Sequence, residues 1–257
     1  MRRNIVKHRL NSGETVIGTM VQEVRTPAIA QILKKIGFDF FMVDMEHGPY
    51  NLETVSDIIR MGRVIDMCPL VRVASLEYQL ITGPLDVGAM GIMMPRIETR
   101  KEIEEFVACM KYPPLGKRGC SSDAPHSEYD FGPLSDFISV NNEDTLVIAQ
   151  IERKVAVDHI DNLLSVPGVD AALIGPEDLS ISMGFPGQTK NPVVVEAVEK
   201  VIASAQKNGV AAGIHMGNTE ALTQWMKKGM RLIMLSSDLG FIMDAGSEGL
   251  RQLGQDI

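Results

Sequence analysis

Phe40-Phe41-Met42-Val43-Asp44-Met45-Glu46-His47-Gly48-Pro49, residues 40–49, is the stretch from which the fold is read. Its first half is an unbroken apolar run, the pattern of a strand buried on both faces. Its second half gathers Asp44, Glu46 and His47, then breaks the chain at Gly48-Pro49. A polar turn at the end of a buried strand is where α/β folds carry their chemistry, although any loop is polar. An amphipathic helical run follows over residues 52–64.

The same unit recurs in both directions. Upstream, residues 15–20 read as a strand and 27–36 as a helix, with Thr26-Pro27 as N-cap and first-turn proline. The strand of the quoted stretch is 39–44. Downstream, strands are expected at 68–73, 90–94, 146–151, 170–174, 210–214 and 231–235. Helices are expected at 78–87, 100–110, 155–164, 192–207 and 219–228, with a last one over 239–253. Residues 111–132 form a long irregular insert. Eight strand–helix pairs with near-continuous apolar strands predict an α/β chain folded as a (β/α)8 TIM barrel. A doubly wound open sheet is the alternative, but the first βα turn, Met20-Val21-Gln22-Glu23, lacks the GxGxxG fingerprint. With no low-complexity linker, residues 1–257 are expected to form one barrel domain.

Composition narrows the function classes. Hydrophobic residues make up 45% of 257, enough for a large core, and the net charge is −8. An acidic chain without a basic patch argues against nucleic acid as a partner. No polybasic segment or long apolar run points to a membrane. Cys68, Cys109 and Cys120 are few, odd in number and lack CxxC spacing, which fits a reducing cytosol. The N-terminus carries no apolar signal segment, so a cytoplasmic protein is expected. The methionines, 16 of them, read as core filler.

A barrel displays its working groups at the C-terminal ends of its strands. Strand two ends in Asp44, Glu46 and His47, and strand three in Arg72. Strand four ends at Pro95-Arg96, and strand five in Gln150 and Glu152. Strand six ends in Gly175-Pro176-Glu177-Asp178, strand seven in His215, and strand eight in Ser236-Ser237-Asp238. Asp238 reads as a helix N-cap. Glu152 and Asp178, on adjacent strands, are hard oxygen donors suited to Mg2+ or Mn2+, unless they serve as an ion-pair partner and a cap. Arg72, inside an apolar run, needs a carboxylate partner, either a substrate's or the protein's own. The turn at Glu177 and Asp178 offers backbone N–H groups to a small anion. Asp44 and His47, three apart, are spaced for a hydrogen bond that would make the imidazole a general base. His8, His126 and His159 read as surface residues; His215 either lines the mouth or packs beneath it.

Taken together these pieces resemble the HpcH/HpaI aldolase family of class II, metal-dependent pyruvate aldolases. The matching stretches are residues 44–49, 70–73, 85–89, 112–119, 150–152, 166–170 and 175–180, in the family's order. The resemblance implies a barrel of the phosphoenolpyruvate/pyruvate type, with its last helix exchanged between subunits of a trimer or hexamer. It implies that Glu152 and Asp178 hold a divalent cation (Mg2+, Mn2+ or Co2+). It implies that Arg72 contacts the keto oxygen, and that His47 works with Asp44. Gln150 would lie near the substrate, with the amides of Glu177 and Asp178 on the pyruvate carboxylate and Asp86 presented to a neighbouring subunit's site. The partners implied are a 2-keto acid and an aldehyde, joined and cleaved by retro-aldol chemistry. No lysine ends a strand, which agrees with a metal rather than a Schiff base. Glu177 stands where alanine is common in the family, and Ser121-Ser122-Asp123-Ala124-Pro125-His126 departs from its small-residue stretch; that loop is expected to help bind substrate. Two other readings are a citrate-lyase-β-like enzyme acting on a CoA thioester, with Arg96, Lys117 and Arg118 as its phosphate-binding cations, and a non-catalytic barrel that binds a small acid.

Overall fold

The computed structural model describes residues 3–121, 123–130 and 132–255. The chain runs α1 (Ile5–Asn11), β1 (Val16–Val21), α2 (Ala28–Ile36), β2 (Phe40–Asp44), α3 (Leu52–Val64), β3 (Cys68–Arg72), α4 (Tyr78–Asp86), β4 (Gly91–Met94) and α5 (Arg100–Met110). It continues through α6 (Leu134–Asp144), β5 (Leu146–Ile151), α7 (Lys154–Asp158), α8 (Ile160–Leu164), β6 (Ala171–Ile174), α9 (Pro176–Ser182) and α10 (Pro192–Asn208). It ends with β7 (Ala211–Met216), α11 (Thr219–Lys227), β8 (Leu232–Ser237) and α12 (Asp238–Gln252). Each strand pairs in parallel with the next, and β8 closes on β1. This is the (β/α)8 TIM barrel.

Two cores follow from the alternation of side chains along each strand. Met20, Met42, Leu70, Met93, Ile148, Leu173 and Met234 fill the barrel interior, and Val6 and Leu10 of α1 pack beneath them. Val43, Val71, Ile92, Ile151, Ile174, Ile214 and Ile233 face the helices. Both sides being apolar explains why the strands read as continuous runs.

Four helical features differ from the expectation, one of them α9, a short helix at the turn after β6. α1 is present at the N-terminus, capped by the Asn4 side chain on the Lys7 amide. α6 occupies the stretch between the insert and β5. The helix expected over 155–164 is broken at His159 into α7 and α8. α12 is unusual in its packing. Only Asp238 is fully buried, Phe241 stacks on Phe38, and Leu239, Ile242, Met243 and Leu250 are exposed. Among the described residues no helix is long and apolar enough to cross a membrane.

Candidate active site

The β2–β3 register sets Asp44 directly beside Arg72, both turned into the mouth of the barrel. Arg72 donates from Nε to Asp44 Oδ1 (2.8 Å) and from Nη2 to Oδ2 (2.5 Å). This is the bidentate fork that makes arginine–carboxylate pairs strong. Asp44 Oδ1 also accepts the amides of Glu46 (3.0 Å) and His47 (3.3 Å), and Gln22 Nε2 donates to Oδ2 (3.3 Å). Burial raises the Asp44 pKa, but Arg72, the His47 amide and Gln22 together hold the carboxyl below its ordinary value.

This pairing corrects the expected Asp44–His47 side-chain bond. Asp44 holds the His47 backbone amide, not its ring. The imidazole is 62% exposed, and its nearest carboxylate is Glu46, at 3.9 Å. Two charge-assisted bonds to a rigid fork outcompete a single bond to an imidazole.

Glu46, whose side chain is 6% exposed, bridges two arginines: Arg72 Nη1 and Arg96 Nε each lie 3.3 Å from it. Arg96, just past β4, has φ +53°, a left-handed conformation that costs a side-chain-bearing residue some strain. Its backbone N–H donates to Glu152 Oε1 (2.8 Å) and its Nη2 to Ala74 O (2.6 Å). Sequence reading passed over this amide because only the fold reveals which residue will sit opposite Glu152.

Glu152 is buried, and Gln150 Nε2 donates to its Oε2. Burial first, and then the charges of Glu46 and Asp178, push its pKa up to about 7 against the opposing Arg96 amide and Arg72. Gln150 Oε1 is buried without a hydrogen-bond partner. A Cβ placed on Gly175 would lie 2.9 Å from Glu152 Oε2 and 3.0 Å from Gln150 Nε2, so glycine keeps the space over these groups open. Gly175 also caps α9 without a side-chain bond, and the amides of Glu177 and Asp178 belong to the first turn, which has no intrahelical acceptors. Both of these side chains are exposed.

Among the described residues no group of three His, Cys, Asp or Glu side chains is placed to hold a metal ion. A two-carboxylate set is nonetheless consistent with a hard cation that keeps water and substrate in its remaining positions. The donor chemistry fits: Glu152 is a desolvated carboxylate held near two others, which a divalent charge would relieve.

Other expected residues lie elsewhere. Asp86 ends α4, at the floor of the barrel, where it accepts from Arg118 Nη2 (2.7 Å). Arg118 is buried against the Tyr112 ring, and Lys117 pairs with Glu105 on α5. Arg96 is thus the one of the three proposed phosphate-binding cations that stands at the mouth. The insert runs along α4: Gly119 N–H donates to Tyr78 Oη (2.7 Å), and His126 meets Asp86 O (3.1 Å). Ser122 lies outside the described residues. His126 is buried rather than on the surface, stacked on Phe137 with Nε2 3.3 Å from Tyr112 Oη. Asp238 is not the N-cap of α12. Ser237 fills that role, and Asp238 accepts the amides of Gln22 (2.8 Å), Glu23 (3.0 Å) and Val24 (2.7 Å), fixing the first βα loop.

Known proteins are similar to this chain over most of its length. The sequence is 31% identical over 243 residues to a hydroxypyruvate/pyruvate aldolase of Roseobacter denitrificans, covering 95% of this chain and 94% of that protein. It is 31% identical over 225 residues to a 5-keto-4-deoxy-D-glucarate aldolase of Salmonella arizonae, covering 88% and 87%. The crystal structure of an HpcH/HpaI aldolase from Desulfitobacterium hafniense superposes with a TM-score of 0.94 at 30% identity, over 98% of this chain and 97% of that one. Residues 20–245 match the family as a whole, and the chain belongs to the HpcH/HpaI aldolase/citrate lyase family.

Proposed function

We propose that the chain is a metal-dependent carbon–carbon lyase that cleaves a 2-keto-4-hydroxy acid reversibly to pyruvate and an aldehyde. The observation that carries this reading is the buried Glu152 carboxylate, crowded by Glu46 and Asp178 and faced by the ion-paired Arg72. The relatives named as a hydroxypyruvate/pyruvate aldolase and a 5-keto-4-deoxy-D-glucarate aldolase support it.

Glu152 and Asp178 would hold the divalent cation (Mg2+, Mn2+ or Co2+), which when bound supplies positive charge for the enolate oxygen. Arg72 is held rigid by Asp44, so it meets developing negative charge without reorganising. Gln150 orients Glu152, and its orphaned Oε1 is an acceptor for a substrate or water proton. The amides of Glu177 and Asp178 receive the pyruvate carboxylate. His47, exposed at the rim, exchanges protons with solvent water. The CoA-thioester reading loses ground, since Lys117 and Arg118 are engaged away from the mouth.

The exposed apolar face of α12 supports a homo-oligomer, trimer or hexamer, in which that helix docks on a neighbouring barrel. Asp86 would reach a neighbour's site in that assembly.

The test is pyruvate release from a panel of 4-hydroxy-2-keto acids with Mg2+, Mn2+ or Co2+, before and after EDTA treatment. Activity should need the added ion and should fall about a thousandfold in Arg72→Ala. Full activity in metal-stripped protein would overturn the mechanism.

A further inference from the structure

His215 lies near the end of β7, two positions beyond Gly213, and its neighbour Ile214 packs outward among the helix-facing core. Alternation therefore turns His215 into the mouth. Its Nε2 lies 2.9 Å from the carbonyl oxygen of Ser236 on β8. A carbonyl only accepts, so Nε2 carries the hydrogen and donates. In a neutral ring Nδ1 is then a bare lone pair, and among the described residues the ring's one hydrogen bond is the one through Nε2.

The anchor is over-determined. Ser236 is left-handed, with φ +51°, and its Oγ lies against Gly240, where a Cβ would collide with it. Thr19 Oγ1 donates to the same Ser236 oxygen (3.2 Å). A strained carbonyl held from several sides gives the ring one orientation. Burial lowers the His215 pKa; the Ser236 bond raises it, Arg72 lowers it and Asp44 raises it, and the result is below the ordinary value. The ring therefore stays neutral at pH 7. His47, by contrast, is mostly exposed and has no bond of this kind.

We propose that His215 is a substrate-orienting residue of the mouth, whose Nδ1 lone pair accepts a hydrogen bond from a substrate hydroxyl. This rests on the lyase reading, which supplies a hydroxyl beside the carbon–carbon bond that breaks. The ring aims that O–H and takes no proton itself.

Three variants separate this role from a structural one. His215→Gln keeps a donor near the Nε2 position for Ser236 but removes the Nδ1 acceptor. His215→Asn restores an acceptor near Nδ1. His215→Leu removes both. The expected result is that His215→Gln melts with the wild type while its kcat/KM falls about tenfold, the scale of one hydrogen bond. His215→Asn should regain most of that loss, and His215→Leu should lose both activity and melting temperature. A His215→Gln enzyme with wild-type kcat/KM, or a His215→Asn enzyme no better than His215→Gln, would overturn the proposal. Nitrogen NMR of the ring at pH 7 gives a reading that needs no turnover. Protonated Nε2 with bare Nδ1 is expected, and a protonated Nδ1 defeats the assignment. Wild-type protein inert on every 4-hydroxy-2-keto acid would count against the lyase reading, whereas the ring spectrum judges the acceptor separately.

Discussion

The two ends of the barrel both bury charge, and they treat it differently. At the floor, Lys7 Nζ donates to Thr145 O (3.0 Å) and Asp170 Oδ2 (2.9 Å), and Asp170 Oδ2 also takes the Val147 amide (2.8 Å). Lys111 Nζ donates to Asn142 O (2.7 Å) and Thr145 O (2.9 Å). Acid meets base, and the ammonium groups point at carbonyls. At the mouth, Glu152 faces two other carboxylates and Gln150 Oε1 has no partner. The floor has its own unpartnered atoms, Arg118 Nε and Asp144 Oδ2, but each belongs to a group paired with an opposite charge, Asp86 and Arg3. At the mouth Glu152 faces like charge, and groups kept at odds with one another mark a place awaiting a ligand.

The largest expected effect tests the mouth. Glu152→Gln should lower lyase activity about a thousandfold, while the melting temperature holds or rises because a crowded carboxylate is gone. Pyruvate release and circular dichroism melts measure the two together. A large fall in melting temperature would mean that Glu152 is structural, as the floor groups are.

The next tests the floor. Lys7→Met leaves the partly buried Asp170 without its ammonium partner and should cost about 2 kcal/mol in urea unfolding. Below the transition kcat should change less than twofold, since nothing at the mouth touches Lys7. A kcat loss without a stability loss would erase the contrast between the ends.

The smallest effect is a pH dependence. The folded Glu152 pKa, pushed up to about 7, lies above its ordinary value, so metal-free protein loses stability as pH rises through that interval and the loss is complete above about 7. Lys111 is pushed down to about 7, chiefly by burial, so its contribution rises with pH above 7, in the opposite sense. Added Mn2+ should raise the melting temperature at pH 8 by a few degrees and much less at pH 6, where Glu152 is protonated. An equal Mn2+ shift at both pH values, or the same shift in Glu152→Gln, would place the ion elsewhere.

Much of the fold was legible because the barrel strands are apolar on both faces and the helices between them are periodic. α3 and α5 coincide with the residues expected, and α5 carries a full capping box between Thr99 and Glu102. α1 was missed because seven residues give barely two turns of pattern; its one signal is the cap at Asn4. α6 ends in Asn141-Asn142-Glu143-Asp144, poor helix formers apart from the glutamate, and tertiary packing of Phe137 holds it. The site was legible as a set of strand ends, since position along a strand is a sequence property. Partner choice was not. Asp44 could have met His47 or Arg72, and only the β2–β3 register decides. His126 looked exposed because a loop has no period by which to judge its inside.

The Asp44–Arg72 pair also constrains how this mouth can change over generations. The two residues are neighbours across strands but far apart in the chain, so no single substitution replaces both. Losing Arg72 alone leaves the buried Asp44 charge with neutral donors only, and losing Asp44 alone leaves Arg72 with Glu46 as its near carboxylate, either at a cost of several kcal/mol. Between this pair and any neutral substitute lies a fitness valley that drift must cross in two coupled steps. Variation in substrate choice therefore has its easier routes elsewhere, at rim positions such as Glu177, whose side chain is exposed.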